Sequence, residues 1–103
     1  PENALSTGKY AFKRLIGMKE KYPRIGDVRG LGLMIGIEFV KKGKPDAEIL
    51  KKIIKRCRDK GLIILECGTD KNIIRLAPPL IITKEEMNEG LDILEDATRE
   101  TAD

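Results

Sequence analysis

Histidine is missing altogether from the 103 residues, as are tryptophan and glutamine. Losing histidine removes the commonest general base at neutral pH, so catalysis confined to this chain would lack the usual proton carrier. The two cysteines, Cys57 and Cys67, make no Cys-x-x-Cys pair. That argues against a metal site or a disulfide framework and fits a reducing, cytoplasmic setting. Aromatic residues make up only 4% of the chain, which leaves the core to aliphatic side chains. No apolar run approaches the length needed to span a membrane, and no signal peptide opens the chain. The chain starts at Pro1 instead of methionine, which suggests a piece of something longer. The missing Gln, Trp and His, beside abundant Lys, Glu and Ile, lean towards a thermophilic source.

Hydrophobic residues at 41% beside charged residues at 36% read as a soluble globular chain rather than a disordered one. At this length one domain over 1–103 is expected, with a modest stability margin. The net charge of +3 is mild, and basic residues are interspersed with acids, so no strong polyanion partner is implied.

Periodicity divides the chain into seven main elements. Residues 2–21 predict a helix with Leu5, Gly8, Phe12 and Leu15 on one stripe, flanked by Ala4, Ala11 and Met18, and Tyr22-Pro23 stops it. Residues 25–40 predict two strands broken at Gly30-Leu31-Gly32. In the second, Leu33, Ile35, Ile37 and Phe39 share one face and Met34, Gly36, Glu38 and Val40 the other. Both faces are largely apolar, so this strand is expected to be covered on both sides in its natural setting. After a basic turn at Lys41–Lys44, a helix is expected over 45–60, with Pro45 in its first turn and Gly61 closing it. Leu50, Ile53, Ile54 and Cys57 supply its buried stripe. Strands are expected at 62–67 and 73–77, separated by a polar turn. A last helix over 84–100 opens with a Thr83/Glu86 capping box that Ile82 and Met87 can staple. The order predicts an α+β domain: a mainly antiparallel sheet of about four strands with helices on one face.

Few residues here suggest chemistry. Cys57 lies on an apolar stripe, where a small buried hydrophobe is the natural reading, and a structural role also suits Cys67. The basic run from Lys51 to Lys60 faces away from that stripe, as on any solvated helix, and few rings are available to stack bases. Gly26, Gly30, Gly32 and Gly36 do not fall between a strand and a helix as a phosphate cradle requires. Arg75 stands apart. With Ile74 and Leu76 facing the helices, it points to the opposite face, where a guanidinium needs an anionic partner. Glu38 or Glu66 could supply an ion pair, or the planar fork could clamp a ligand carboxylate. Spacing alone leaves both open, with the ion pair the plainer account.

Two stretches bear on that choice. Val28-Arg29-Gly30-Leu31-Gly32-Leu33-Met34-Ile35-Gly36-Ile37-Glu38 resembles a signature of the C-terminal domain of class III pyridoxal-phosphate-dependent aminotransferases. Gly61 to Leu65, Cys67-Gly68, and Asn72-Ile73-Ile74-Arg75-Leu76-Ala77-Pro78-Pro79-Leu80 resemble the strand pair that closes that domain, and Thr83-Lys84-Glu85-Glu86 resembles the start of its last helix. Cys-Gly with Asn-x-Ile-Arg is most similar to the 4-aminobutyrate branch.

The resemblance implies the C-terminal small domain of a fold type I enzyme, which moves an amino group from an amino acid to a 2-keto acid. It implies that Arg75 holds a substrate carboxylate. Pyridoxal phosphate would be held mainly by a large domain of the same polypeptide, which also supplies the Schiff-base lysine, so no catalytic residue is assigned within this chain. The isolated chain is then expected to be inactive. Met34, Val40, Ile63 and Ile73 are expected on the face meeting the large domain, and a homo-oligomer is expected, with neither nucleic acid nor membrane as partner. The competing readings are a free-standing α+β ligand-binding or regulatory module and a nucleic-acid-binding domain.

Overall fold

A computed structural model of the chain describes residues 2–31, 34–64, 66–67, 70–76 and 83–101. Helix α1 (Glu2–Lys21) leads into strands β1 (Ile25–Leu31), β2 (Met34–Lys41) and the two-residue β3 (Lys44–Pro45). Helix α2 (Ala47–Asp59), strands β4 (Glu66–Cys67) and β5 (Ile73–Leu76), and helix α3 (Lys84–Thr101) follow. The strands form one sheet in the order β1-β2-β5-β4, with β3 folded onto β2, and every pairing is antiparallel. The α+β architecture expected from the sequence is therefore the one observed.

β2 organises the sheet. Its alternate residues Ile35, Ile37 and Phe39 are buried against the helices, whereas Met34, Gly36, Glu38 and Val40 occupy the other face. The period-two geometry of a strand imposes that separation. Ile25 and Val28 from β1 and Ile74 from β5 join the inner layer. The helices meet it with Ala11, Leu15 and Met18 of α1, Leu50, Ile53 and Cys57 of α2, and Leu91, Leu94 and Ala97 of α3. Burying a large aliphatic side chain contributes about 1.5–3 kcal/mol before entropy is counted, so these few residues supply most of the driving force. The α1 stripe is centred on Ala11, Leu15 and Met18, and Phe12 packs at its edge over Gly30. The side chains of Ala4 and Leu5 lie outside the described part, as does Ile82.

Local signals set the helix ends. Thr83 and Glu86 exchange the two bonds of a capping box: Thr83 N donates to Glu86 Oε1 at 3.0 Å, and Glu86 N donates to Thr83 Oγ1 at 3.1 Å. At the end of α2, Gly61 takes a positive φ of 97°. Gly61 N and Leu62 N donate to the carbonyls of Arg58 and Cys57, which satisfies two of the free carbonyls of the last turn.

The structure corrects two expectations. Pro45 is not in the first turn of α2. It sits in edge strand β3 opposite Val40, where its missing N–H costs nothing, and Asp46 is the N-cap instead. The basic turn at Lys41–Lys44 is present as expected, a tight hairpin with positive φ at Lys42 and Gly43 closing the pair Lys41–Lys44. The strand expected over 62–67 joins the described ladder only at Glu66–Cys67. Leu62 N is already committed to the α2 cap, although Ile63 outward and Ile64 inward keep the strand alternation. Elsewhere the bounds differ by a residue or two, and Ala77 lies outside the described residues.

Asp46 does two jobs. Its Oδ1 accepts from Glu48 N at 3.1 Å and Ile49 N at 3.2 Å, and its Oδ2 pairs with Arg24, whose Nε also donates to Val40 O at 3.0 Å. Burial would push the Asp46 carboxyl up, but the bonds from Ile49, Arg24 and Glu48 outweigh it and hold it below the usual carboxylate range. Asp46→Ala is expected to cost about 1–2 kcal/mol, read by urea denaturation at pH 7. A group whose folded value is depressed contributes its stability above the unfolded value of about 3.9 and loses it as pH falls through the folded value. The gap between parent and variant should therefore be constant near neutrality and close in acid.

Candidate functional site

Antiparallel pairing places Arg75. Ile74 of β5 lies opposite Ile37 and is fully buried, so Arg75, one residue on, lies opposite Gly36 on the outer face. It is exposed, and among the described residues no carboxylate forms a salt bridge with it. Gly36 is also the partner of Arg29 in β1. The outer face thus carries the row Arg29–Gly36–Arg75, with an arginine on each side of a residue that has no side chain. Among the described residues, no atom lies within 4 Å of where a Gly36 Cβ would stand. Strands two places apart in a sheet are separated by roughly 9.5 Å, so the two arginines flank a position without a side chain.

The next row holds the acids. Asp27 lies opposite Glu38, and Glu38 opposite Ile73. Arg29 Nε meets Asp27 Oδ2 at 3.0 Å, so that arginine is partly engaged. Glu38 instead turns to Asn72, whose Nδ2 donates to Glu38 Oε2 at 3.5 Å and to Phe39 O at 2.9 Å. Glu66 lies opposite Ile74, on the helix side of the sheet, where it borders a cleft of about 130 Å³ with Lys51, Ile54 and Lys71. Of the two partners weighed for Arg75, Glu66 therefore stands on the wrong face, and Glu38 is on the right face but bonded elsewhere.

Sequence reasoning singled out Arg75 but gave no role to Arg29 or Asn72. Arg29 was legible in principle, because Val28 is an inward position and the alternation turns its neighbour outward. Asn72 looked like one more polar residue in a turn, and its burial to 2% exposure depends on tertiary contacts.

Other chemistry finds no support in the described residues. They hold no cluster of three or more His, Cys, Asp or Glu placed to bind a metal. Every lysine is exposed within this chain. A second cleft of about 480 Å³, bordered by Arg24, Lys41, Asp46, Glu48 and Lys52, lies at the hairpin edge, and its arginine and aspartate pair with each other. Cys57 is fully buried, and burial pushes its thiol up to about 11 against weak opposition from Lys60.

Residues 1–98 match the family model described as aminotransferase class-III. An alanine/serine racemase of Pyrococcus horikoshii is 46% identical over 101 residues, covering 97% of this chain and 21% of that protein. The 4-aminobutyrate aminotransferase GabT of Escherichia coli is 46% identical over 96 residues, covering 90% of this chain and 22% of that protein. A solved aminotransferase structure from Bacillus anthracis superposes with a TM-score of 0.85 at 32% identity, covering 96% of this chain and 24% of that one. The chain thus spans about a fifth of the length of these curated relatives.

The Cys57 geometry predicts an inert thiol. At pH 8 an alkylating reagent should leave Cys57 unmodified in the folded chain and label it fully in denaturant, as read by peptide mass. Rapid native-state labelling of Cys57 would contradict the packing of α2 against α3.

Proposed function

The chain belongs to the class III aminotransferase family, and on that premise we propose that it forms the substrate-side part of a pyridoxal-phosphate aminotransferase. Arg75 clamps the carboxylate of 4-aminobutyrate or a similar amino acid, whose amino group passes to a 2-keto acid. The observation that carries this reading is the position of Arg75: a planar fork on the outer face of the sheet, opposite Gly36 and without a salt bridge among the described residues. Bidentate pairing with a carboxylate suits that geometry, and a fixed carboxylate orients the rest of the substrate.

Pyridoxal phosphate, when bound, supplies the electron sink for amino-group chemistry. The residues of this chain do not fit the role of its principal holder, because all its lysines are exposed on the surface. The cofactor-binding lysine and its surroundings belong to a large domain of the same polypeptide. The outer sheet face, with Met34 and Ile63 as its exposed large hydrophobics, docks towards that domain. None of the described helices is long and apolar enough to cross a membrane. The intact enzyme is proposed to be a cytoplasmic homo-oligomer.

An amino-acid racemase is the second reading. The racemase of Pyrococcus horikoshii and the aminotransferase of Escherichia coli are equally identical to this chain, and Arg75 would serve a carboxylate in either reaction. Incubating the intact enzyme with 4-aminobutyrate and a 2-keto acid, and separately with single enantiomers of alanine, serine and leucine, distinguishes them. Turnover of the first mixture supports transamination, and inversion without amino transfer supports the alternative.

Two outcomes test the assignment. Arg75→Lys in the intact enzyme keeps the charge but loses the fork, and should raise KM for 4-aminobutyrate about tenfold or more. n-Butylamine, which has no carboxylate, should react equally with parent and variant. The 103-residue chain alone should show no transamination with added pyridoxal phosphate, and it should self-associate through the outer face. Met34→Glu should disperse that association in light scattering, and a parent chain monomeric at high concentration would show that this face is not a docking surface.

A further inference from the structure

Glycine inside a strand weakens it, so it is kept there for a reason: a positive φ, a bulge, or a close approach of another group to the backbone. Other glycines of the sheet and its turns show those reasons. Gly43 and Gly61 have φ of 78° and 97°. Gly26 sits in the irregularity between Ile25 and Asp27, where a Cβ would stand 2.7 Å from Val40 Cγ1. At Gly30 a Cβ would meet the Phe12 ring at 3.4 Å.

Gly36 shows none of them. Its φ is not positive, and its pairing with Arg29 on one side and Arg75 on the other runs in continuous register. Among the described residues, no atom lies within 4 Å of the position its Cβ would take. Longer side chains frame it on the outer face: Met34 and Glu38 along β2, Arg29 and Arg75 across the ladder. The described part of the chain therefore gives no reason for glycine here, and the remaining reason is a group that approaches from outside it. Directly opposite positions carry their Cβ atoms about 4.5–5.5 Å apart, so a ligand held by Arg75 lies beside position 36.

We propose that Gly36 is a specificity-determining residue, whose missing side chain leaves room for a substituent on the carbon that bears the carboxylate held by Arg75. The proposal rests on the reading of Arg75 as the clamp. Met34, an exposed large hydrophobic on the same face, makes one side of that room apolar. The substrates admitted are carboxylates carrying a small aliphatic branch beside the carboxyl group, in addition to unbranched 4-aminobutyrate. A side chain at position 36 excludes the branch first, which raises KM for the branched compound without altering the chemical step.

The test uses the intact enzyme with 4-aminobutyrate, 4-amino-2-methylbutyrate and n-butylamine, which has no carboxylate. The parent should accept the methyl compound with a KM within threefold of that for 4-aminobutyrate. Gly36→Ala should raise KM for the methyl compound at least fivefold, with its kcat within twofold of the parent, and leave both other substrates within twofold. Gly36→Val should extend the loss to 4-aminobutyrate and still spare n-butylamine; should it fail to fold, Gly36→Ala decides alone. A parent that rejects the methyl compound overturns the proposal, as does a Gly36→Ala variant with unchanged discrimination. An equal loss for all three substrates with a lowered thermal midpoint also overturns it, because Gly36 would then serve the contact with the large domain. Arg75→Lys separates the two levels: an unchanged KM for 4-aminobutyrate rejects the clamp itself, whereas a raised KM there with unchanged discrimination in Gly36→Ala rejects only the role of Gly36.

Discussion

The fold depends on β2 having two unlike faces. This strand pairs with β1 on one side and β5 on the other, and β3 turns back onto its end. Ile35, Ile37 and Phe39 must face the helices, because shifting the register by one residue would drive Gly36 and Glu38 into the core. Such a slip would lose the burial of three large apolar side chains and enclose a carboxylate without a partner. Register is therefore strongly fixed. Since Ile37 pairs with Ile74, fixing β2 also fixes β5, and with it the outward position of Arg75. The outward position of Arg75 is thus a by-product of core packing.

The helices reinforce that arrangement by being locked on the inner side. Arg14 of α1 reaches Asn88, Asp92 and Glu95 of α3, and Tyr22 donates to Glu95 at 2.9 Å. Burial would push the Glu95 carboxyl up, but the bonds from Tyr22, Arg14 and Lys21 hold it below the usual range, so it stays charged near neutrality. Individually such half-exposed pairs contribute little. Together they fix how α1 and α3 lie against each other, which keeps both helices over the inner layer and leaves the outer face clear.

Much of this was legible in the sequence because two periodicities carry it. The 3.6-residue spacing of Leu50, Ile53 and Cys57, and the alternation from Met34 to Val40, follow directly from which side chains must be dry. The Thr83/Glu86 box and Gly61 were readable for a similar reason: each satisfies backbone groups within a few residues. Features decided at long range were not readable. Whether Pro45 begins a helix or edges a sheet depends on Val40 being opposite. Asn72 belongs to the same class, since its two partners are 33 and 34 residues away. The side of the sheet that Glu66 occupies was hidden likewise, because only pairing with Ile74 reveals it.

The arginines show why Arg75 is unusual. Arg14, Arg24, Arg29, Arg56 and Arg99 each meet a carboxylate. Arg58 forms no salt bridge among the described residues, but it lies in the last turn of α2, where the helix dipole favours a cation. Among the described residues Arg75 has neither an acid nor a helix end to account for it. It also shares its row with a second arginine across Gly36, and two like charges bordering a gap raise the positive potential there. The acids nearest by, Asp27 and Glu38, are held in the adjoining row by Arg29 and Asn72. The outer face therefore separates its charges instead of pairing them all, and Arg75 stands there opposite Gly36 without a salt bridge among the described residues.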